Sequence, residues 1–596
     1  MDVSVVIPAH NCRPFLDRCL TSVLIQRVAK EIIVVDDGST DGTAELLDLY
    51  ATYHRTIVKV VKQENSGGAG RPRNVGIEHA TGRYVFFCDA DDYLGAEALE
   101  RLMAMADRND ADIVLGRMAG HGRRVPVSMF QHNLDRADLG DSAVYNSLSC
   151  FKLFRREMLL RHGIRFAEDR MIGEDIQFTV HAYCHAEVIS VVADYDCYHL
   201  VDRPDGSSIM QQPDSRDPVA WLEMIRAPIA LMAAHIPPGP LRDHLLRRHF
   251  RIDAFAQLGA PFLEAGEVQR KEIAQEVAAL CDEWLTPGVI ARLGGTDRQR
   301  LAALGDVERL ERLARIEAAA VLRRLTGLRW EAGRLIVTGT AELEGIRDCS
   351  GLSLVLRARH DPAREIVVRS EPCARLRDFS ARVDVGALES GVWDAYVAVE
   401  LEGVVRRGRL GAVRDGGISR PAARLAGRSI VLPYFTRDNG NLSLDIGGHV
   451  LAVPGSVRIT RTRWTLGHRL ALDGEVTVGG SPPEAGCVRR LVWRERNTGA
   501  ERFDRVTSMS GGAFAARPAV GRFAPGTWDA YLELELGGPP ARFRIETADT
   551  AVPAARRWWQ GAVLRTARPY ATAGRGRLST VVRRLTPRAI IRRLLR

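Results

Sequence analysis

Over residues 1 to about 110 short apolar runs alternate with amphipathic stretches. VSVVIPA (Val3 to Ala9), EIIVVDD from Glu31, TIVKVVKQ from Thr56 and RYVFFCD from Arg83 read as strands. PFLDRCLTSVLIQ, with Leu16, Leu20 and Val23/Leu24 on one face, TAELLDLY from Thr43 and NVGIEHA from Asn74 read as helices. Strand and helix in turn predict βαβ units and a parallel sheet. Ligands of such sheets bind outside the carboxyl ends of the strands. Three of those ends carry polar clusters: PAHN from Pro8, DDGSTDG from Asp36 and DADD from Asp89.

From Asp217 to about Leu325 the pattern is helical, with Asp217-Pro218 as cap and first turn and Leu241, Leu245 and His249 spaced four apart. Beyond Leu328 the runs become short and β-rich, and the chain repeats itself. GVWDAYVAVELEG from Gly391 matches GTWDAYLELELGG from Gly526, and FSARVDV from Phe379 matches FAARPAV from Phe514, both 135 residues apart. RWEAGRLIVTG from Arg329 echoes RWTLGHRLALDG from Arg463. Two copies of one domain follow, each with the alternating strands of an immunoglobulin-like sandwich. Trp393 and Trp528, in mid-strand, read as core rather than as platforms for sugars.

A chain of 596 residues exceeds one core and predicts several domains. Its ten cysteines show no CxxC pair or regular spacing, which indicates neither a zinc site nor a disulfide framework and fits reduced cytosol. The start, MDVSVVIPAHN, lacks a basic segment followed by a long apolar one, and no run reaches the length of a membrane span. The net charge of +9 is concentrated at one end: from Arg556 onward there are twelve arginines and no acid. Trp558-Trp559, Leu564, Val581/Val582 and Ile590/Ile591 interleave with those arginines, the pattern of an amphipathic helix at an anionic membrane. A solvated tail is the plainer alternative, and the absence of a recognised motif speaks against nucleic acid.

Asp89, Asp91 and Asp92 at the end of a buried strand repel one another and call for an offsetting charge. A divalent cation bridging a diphosphate supplies it, since Mg²⁺ or Mn²⁺ takes hard oxygen ligands and often pairs one or two carboxylates with substrate phosphates. The competing reading is an acidic turn at the start of the next helix. Between the marked ends lies NSGGAGRPRNVG (Asn65 to Gly76), a glycine loop with Arg71 and Arg73 that suits a nucleotide diphosphate but matches neither GxxxxGK[ST] nor GxGxxG. In MIGEDIQFTVHAYC (Met171 to Cys184), Glu174 and Asp175 open a helix. They complement its dipole, or one removes a proton from an acceptor hydroxyl while its neighbour orients it.

Together VSVVIPAHN, VVDDGSTDG, PRNVGIEHATGRYVFFCDADDYL and GEDIQF resemble family 2 glycosyltransferases of the α/β, Rossmann-like GT-A fold, over roughly the first 215 residues. NSGGAGRPRN, RVPVSMF, LRRHF, VWDAY and LPYFTRDNGNLSL extend the resemblance, into the C-terminal half, to the wall-teichoic-acid ribitol-phosphate β-N-acetylglucosaminyltransferases. The resemblance implies an inverting transferase using UDP-GlcNAc and a divalent cation, Mg²⁺ or Mn²⁺, and a trimer formed through the paired C-terminal domains. It implies Asp175 as base supported by Glu174, and Pro8, Asp37, Asn65, Arg73 and Asp89 around the donor nucleotide. Asp89 and Asp91 form the DxD, with Asp91 the direct metal ligand, and Arg123 and Arg203 contact phosphates of donor or acceptor. RPDGSS and SCFKLF depart from the family on the acceptor side.

The expected organisation is a catalytic domain over 1–215, a helical connector over 216–325, β-sandwiches over 326–418 and 426–548, and a basic amphipathic tail over 549–596. The expected reaction transfers a sugar, GlcNAc by resemblance, to a hydroxyl of a cell-wall polymer at the cytoplasmic face of the membrane. Alternatives are another capsular or surface polysaccharide as acceptor, or a glycan-binding scaffold with a dead transferase domain. The presence of Asp89, Asp91 and Asp175 argues against the scaffold.

Overall fold

In the computed structural model, which describes residues 1–204, 206, 208, 217–373 and 375–585, the alternating segments form an eight-stranded sheet among the described residues. Its strands are β1 (Val3–Ala9), β2 (Lys30–Asp37), β3 (Val58–Gln63), β4 (Tyr84–Phe87), β5 (Tyr93–Leu94), β6 (Ile113–His121), β7 (Lys152–Arg155) and β8 (Ile189–Val201). They lie in the order β3-β2-β1-β4-β7-β6-β8-β5. β1 to β4 run parallel, and β7 is inserted antiparallel between β4 and β6. β1, β2 and β4 are buried on both faces, which is why they read as unbroken Val/Ile/Phe runs. The chain moves outward through β2 and β3, then returns to the other side of β1 as β4. That reversal opens a crevice beyond the carboxyl ends of β1 and β4.

The helices of this part are α1 (Arg13–Leu24), α2 (Thr43–Tyr53), α3 (Gly70–His79), α4 (Ala98–Asn109), α5 (Arg156–Arg161) and α6 (Glu174–His185). α7 (Pro218–Met224), capped by the Asp217 carboxylate accepting from Ala220 N at 2.8 Å, and α8 (Arg226–His235) begin the connector. Further helices continue to Ala318. α8 packs against α6. Met1–Ala318 forms one unit and Ala319–Arg596 a second. The connector therefore ends at Ala318 rather than 325, and a strand starts at Val321. Among the described residues no helix is long and apolar enough to cross a membrane.

The second unit repeats one sandwich plan. In the first copy Val321–Glu331, Arg334–Leu343 and Asp378–Val383 make one sheet, and Gly391–Leu401 lies at the middle of the other. Leu442–Ile446 pairs with Gly391–Leu401, placing Leu444 opposite Trp393, so this domain runs on to residue 446 instead of stopping at 418. In the second copy Leu578–Leu585 pairs in the same way with Gly526–Leu534, placing Thr580 opposite Trp528. Both tryptophans are core, each 2% exposed. Each copy also builds the same polar knot. Asp394 accepts from Arg359 (2.7 Å) and Ser443 (2.8 Å), and Asp529 accepts from Arg496 (2.9 Å) and Ser579 (2.8 Å).

The expected amphipathic tail is corrected by this repeat. Arg556–Gln560, Val563–Ala571 and Leu578–Leu585 are strands that complete the second sandwich, which therefore extends past 548 to 585. Alternate residues point inward: Trp558, Ala567, Leu578 and Val582 are buried, while Trp559 is 62% exposed. Arg565 also points inward and donates to Gly521 O and Gln560 Oε1, both at 2.9 Å. Ile590 and Ile591 lie outside the described residues.

Leu578→Ala should thus behave as a core truncation and cost about 2–5 kcal/mol. Urea unfolding of the full chain checks it, and a loss below ~0.5 kcal/mol would match a solvated tail instead.

Candidate active site

Three carboxyl ends converge on the crevice. At the end of β2, Asp37 is 3% exposed, and its carboxylate accepts from Gln63 Nε2 (2.6 Å) and from Ser66 N (3.1 Å to both oxygens). It shapes the glycine loop. At the end of β1, Pro8 is partly buried and His10 follows, donating through Nδ1 to Asp37 O at 2.8 Å and accepting from Asn65 Nδ2 at 3.1 Å. Asn65 in turn accepts from Gly67 N at 2.7 Å. Two glycines allow the loop to sit so low. Gly38, at φ 69°, passes Asn65 so closely that a Cβ would lie 2.8 Å from its nitrogen, and a Cβ on Gly70 would lie 2.2 Å from Ala167 O.

At the end of β4 the acidic cluster divides by environment. Oxygens of Asp89, Asp91 and Asp92 come within 4.8 Å of one another. Asp92 is 1% exposed and accepts from Tyr198 Oη and Val201 N, each at 2.8 Å. Burial first, then the charges of Asp89 and Asp91, push its carboxyl up to about 8. This acid is an anchor. Tyr198 Oη also accepts from Asp89 N at 3.0 Å, so one phenol fixes the loop at two points. Asp89 and Asp91 stay partly exposed, and each is paired with an arginine: Arg73 Nη2 to Asp89 Oδ1 at 2.8 Å and Arg203 Nε to Asp91 Oδ2 at 2.6 Å. Their oxygens suit a hard dication shared with substrate phosphates, and Asp92, held by two donors, suits it less.

The fourth side comes from α6. Gly173, at φ 81°, turns the chain into the helix, so Glu174 and Asp175 occupy its first turn. Phe178 lies flat on Phe166 (3.9 Å between centroids) and edge-on to Phe87 (5.4 Å), docking this turn onto the end of β4. Arg73, 3% exposed, passes over Phe166 and donates Nη1 to Glu174 Oε1 at 2.6 Å while Nη2 holds Asp89. The two acidic motifs, 85 residues apart between Asp89 and Glu174, share one cation. Asp175 is partly exposed; burial first, then Glu174, push its carboxyl up to about 7 against the pull of Arg73. A carboxylate near neutrality in the crevice is equipped to act as a general base. On the β6–β8 side, Arg123 stands 3.7 Å from Asp202, next in sequence to Arg203, so the two predicted phosphate-contacting arginines share one rim.

Comparison with known proteins bears on the family and the domain order. Residues 4–164 match the model described as Glycosyl transferase family 2, 218–317 the Glycosyl transferase TarS linker domain, and 313–446 the TarS beta-glycosyltransferase C-terminal domain 1. The chain belongs to glycosyltransferase family 2. The transferase is 29% identical over 503 residues to the poly(ribitol-phosphate) beta-glucosyltransferase of Bacillus spizizenii, covering 75% of this chain and 79% of that one. It is 37% identical over 208 residues to the poly(ribitol-phosphate) beta-N-acetylglucosaminyltransferase TarS of Staphylococcus aureus (strain Mu50 / ATCC 700699), a span of 34% of this chain and 36% of that protein. The crystal structure of S. aureus TarS shares the fold at TM-score 0.51 and 21% identity, over 87% of this chain and 95% of that one.

Asp37 and Arg73, expected on the uridine, are nearly fully buried, the Asp37 carboxylate bonded to the loop and the Arg73 Nη atoms to Glu174 and Asp89. Pro8 and Asn65 remain at the crevice edge. Sequence reasoning missed His10 and Tyr198. His10 stood in the marked PAHN cluster, whereas Tyr198 lies 106 residues from Asp92 in a strand with nothing local to single it out.

With Asp175 as base, the rate must follow its ionisation. Activity should rise with pH because only the carboxylate accepts a proton, and the acid limb of kcat/KM should fall near pH 7 rather than at the ~4 of a solvated carboxyl. Asp175→Asn should abolish that limb and lower turnover by about 10²–10⁴. Steady-state rates of both proteins across pH check this; a wild-type limb near pH 4, or a variant at full turnover, removes Asp175 from the mechanism.

Proposed function

We propose that this transferase moves a hexose from a UDP-sugar to a hydroxyl of a ribitol-phosphate type cell-wall polymer, in one metal-dependent displacement that inverts the anomeric centre. The observation carrying it is the chain Asp89–Arg73–Glu174 with Asp175 beside it, because it sets a metal-suited carboxylate pair and a tuned base around one crevice. Held by Asp89 and Asp91, a divalent cation would neutralise the charge developing on the departing diphosphate, a contribution of several kcal/mol. The residues of the chain do the rest. Asp175 takes the proton of the attacking hydroxyl, Glu174 and Arg73 hold Asp175 in place, and Arg123 and Arg203 draw phosphates to the rim. Pro8 and Asn65 border the nucleotide. Attack opposite the leaving diphosphate converts an α-linked donor into a β product.

The acceptor class is supported by similarity that runs through the catalytic, linker and C-terminal segments. The sugar has two candidates. The relative matched over 503 residues is named for glucosyl transfer, and the one with higher identity over 208 residues for N-acetylglucosaminyl transfer. We retain GlcNAc, with glucose as the second reading. Assembly through the doubled sandwiches, as a trimer, belongs to the same proposal, as does association with the inner membrane face where a lipid-linked acceptor grows. With 556–585 folded into a sandwich, such association does not rest on an amphipathic helix there.

The test is release of UDP from UDP-GlcNAc and UDP-glucose on purified poly(ribitol phosphate), with Mn²⁺ or with EDTA. The expected result is polymer- and metal-dependent release from one donor, GlcNAc first. Release equally fast without polymer, or with EDTA present, contradicts the proposal.

A further inference from the structure

At the far end of α6 from Asp175 a second cluster of potential ligands gathers. His181 and His185 lie one turn apart on α6, and His235 closes α8, which packs across them. One ring nitrogen from each comes within 4.8 Å of the others. The ring centroids stand 5.1 Å apart for His181–His185, 5.3 Å for His181–His235 and 4.8 Å for His185–His235. His162, just past the end of α5, stacks flat on His185 at 4.0 Å and fixes that ring's plane.

We propose that His181, His185 and His235 form a second metal site, one that takes a borderline dication such as Zn²⁺ and ties α6 to α8. Ligand type supports this first. The cluster offers imidazole nitrogen alone, which suits Zn²⁺, Cu²⁺ or Ni²⁺, whereas the carboxylates of Asp89 and Asp91 suit Mg²⁺ or Mn²⁺, so the two sites select different ions. A surrounding hydrogen bond supports it next. His235 Nδ1 donates to Leu231 O at 2.9 Å, which leaves Nε2 with its lone pair outward, the arrangement by which metal-binding histidines are commonly oriented.

Tetrahedral Zn²⁺ with Zn–N near 2.0–2.1 Å needs nitrogens about 3.3 Å apart. The three nitrogens, within 4.8 Å of one another, would close to that spacing on binding. Three protein ligands leave a fourth position for water. The twelve-residue α6 is roughly 18 Å long, so this site cannot act on the sugar. It acts on position: α6 carries Glu174 and Asp175 at its start, and α8 belongs to the linker segment.

The experiment uses the full chain without a histidine tag, stripped with EDTA, dialysed and titrated with Zn²⁺ and, separately, with Co²⁺. The wild type and Asp91→Asn should each bind one tight equivalent, show the visible absorption of four-coordinate Co²⁺, and melt several degrees higher with Zn²⁺. His235→Ala should lose all three responses, while its metal-free melting temperature matches that of the metal-free wild type. Failure of the wild type to bind an equivalent overturns the proposal. So does undiminished binding by His235→Ala, which would assign the ion to the α6 pair alone, and so does loss of binding in Asp91→Asn, which would assign it to the acidic cluster. None of these readouts depends on sugar transfer, so they stand apart from the test of the proposed reaction.

Discussion

The guanidinium of Arg73 is the contact on which the catalytic unit turns. It has Asp89 on one nitrogen and Glu174 on another, in surroundings that leave it 3% exposed. Without it, carboxylates from β4, α6 and the DADD loop would face one another across a poorly solvated crevice, and the mutual repulsion would drive the ends of β4 and α6 apart. Removing one partner of such a buried pair costs roughly 3–5 kcal/mol, mostly because the remaining charge is left uncompensated. Phe166 and Phe178 give the same contact its rigidity: Arg73 lies over the first ring and the second belongs to α6. The arrangement stabilises the fold and sets the spacing between the metal-suited carboxylates and Asp175, the proposed base.

The acids themselves are sorted by burial rather than by type. Asp92 and Asp175 are both pushed toward neutrality, yet Asp92 is enclosed by Tyr198 and Val201, while Asp175 stays open to the crevice. One carboxyl therefore anchors and the other can exchange protons with a substrate. Asp89 and Asp91, less buried and each facing an arginine, keep the oxygens that a dication would need.

Much of this was legible in the chain. The strands β1, β2 and β4 announced themselves as apolar runs because both faces are covered, and the acids stood at their ends because ligands bind there. What stayed hidden depended on distant pairing. Nothing near Tyr198 marks it, since its partners are Asp89 and Asp92 from another strand end. Arg73 read as a nucleotide contact because it sits in a glycine loop, and only the fold turns it inward. The basic C-terminal stretch misled for a related reason. Arginines alternating with apolar residues fit a helix at a membrane, but the same residues have a two-residue period once paired with Gly526–Leu534, and Tyr570 and Ser579 repeat Tyr434 and Ser443 of the first copy.

The central claim is that Asp89 and Asp91 bind donor diphosphate through a divalent cation, and calorimetric titration of UDP into the metal-stripped protein tests it directly. With Mn²⁺ present, UDP should bind at least about tenfold more tightly than without it, a difference of about 1.4 kcal/mol, and Asp91→Ala should erase that gain. Equal UDP affinity with and without Mn²⁺ in the wild type would contradict the account.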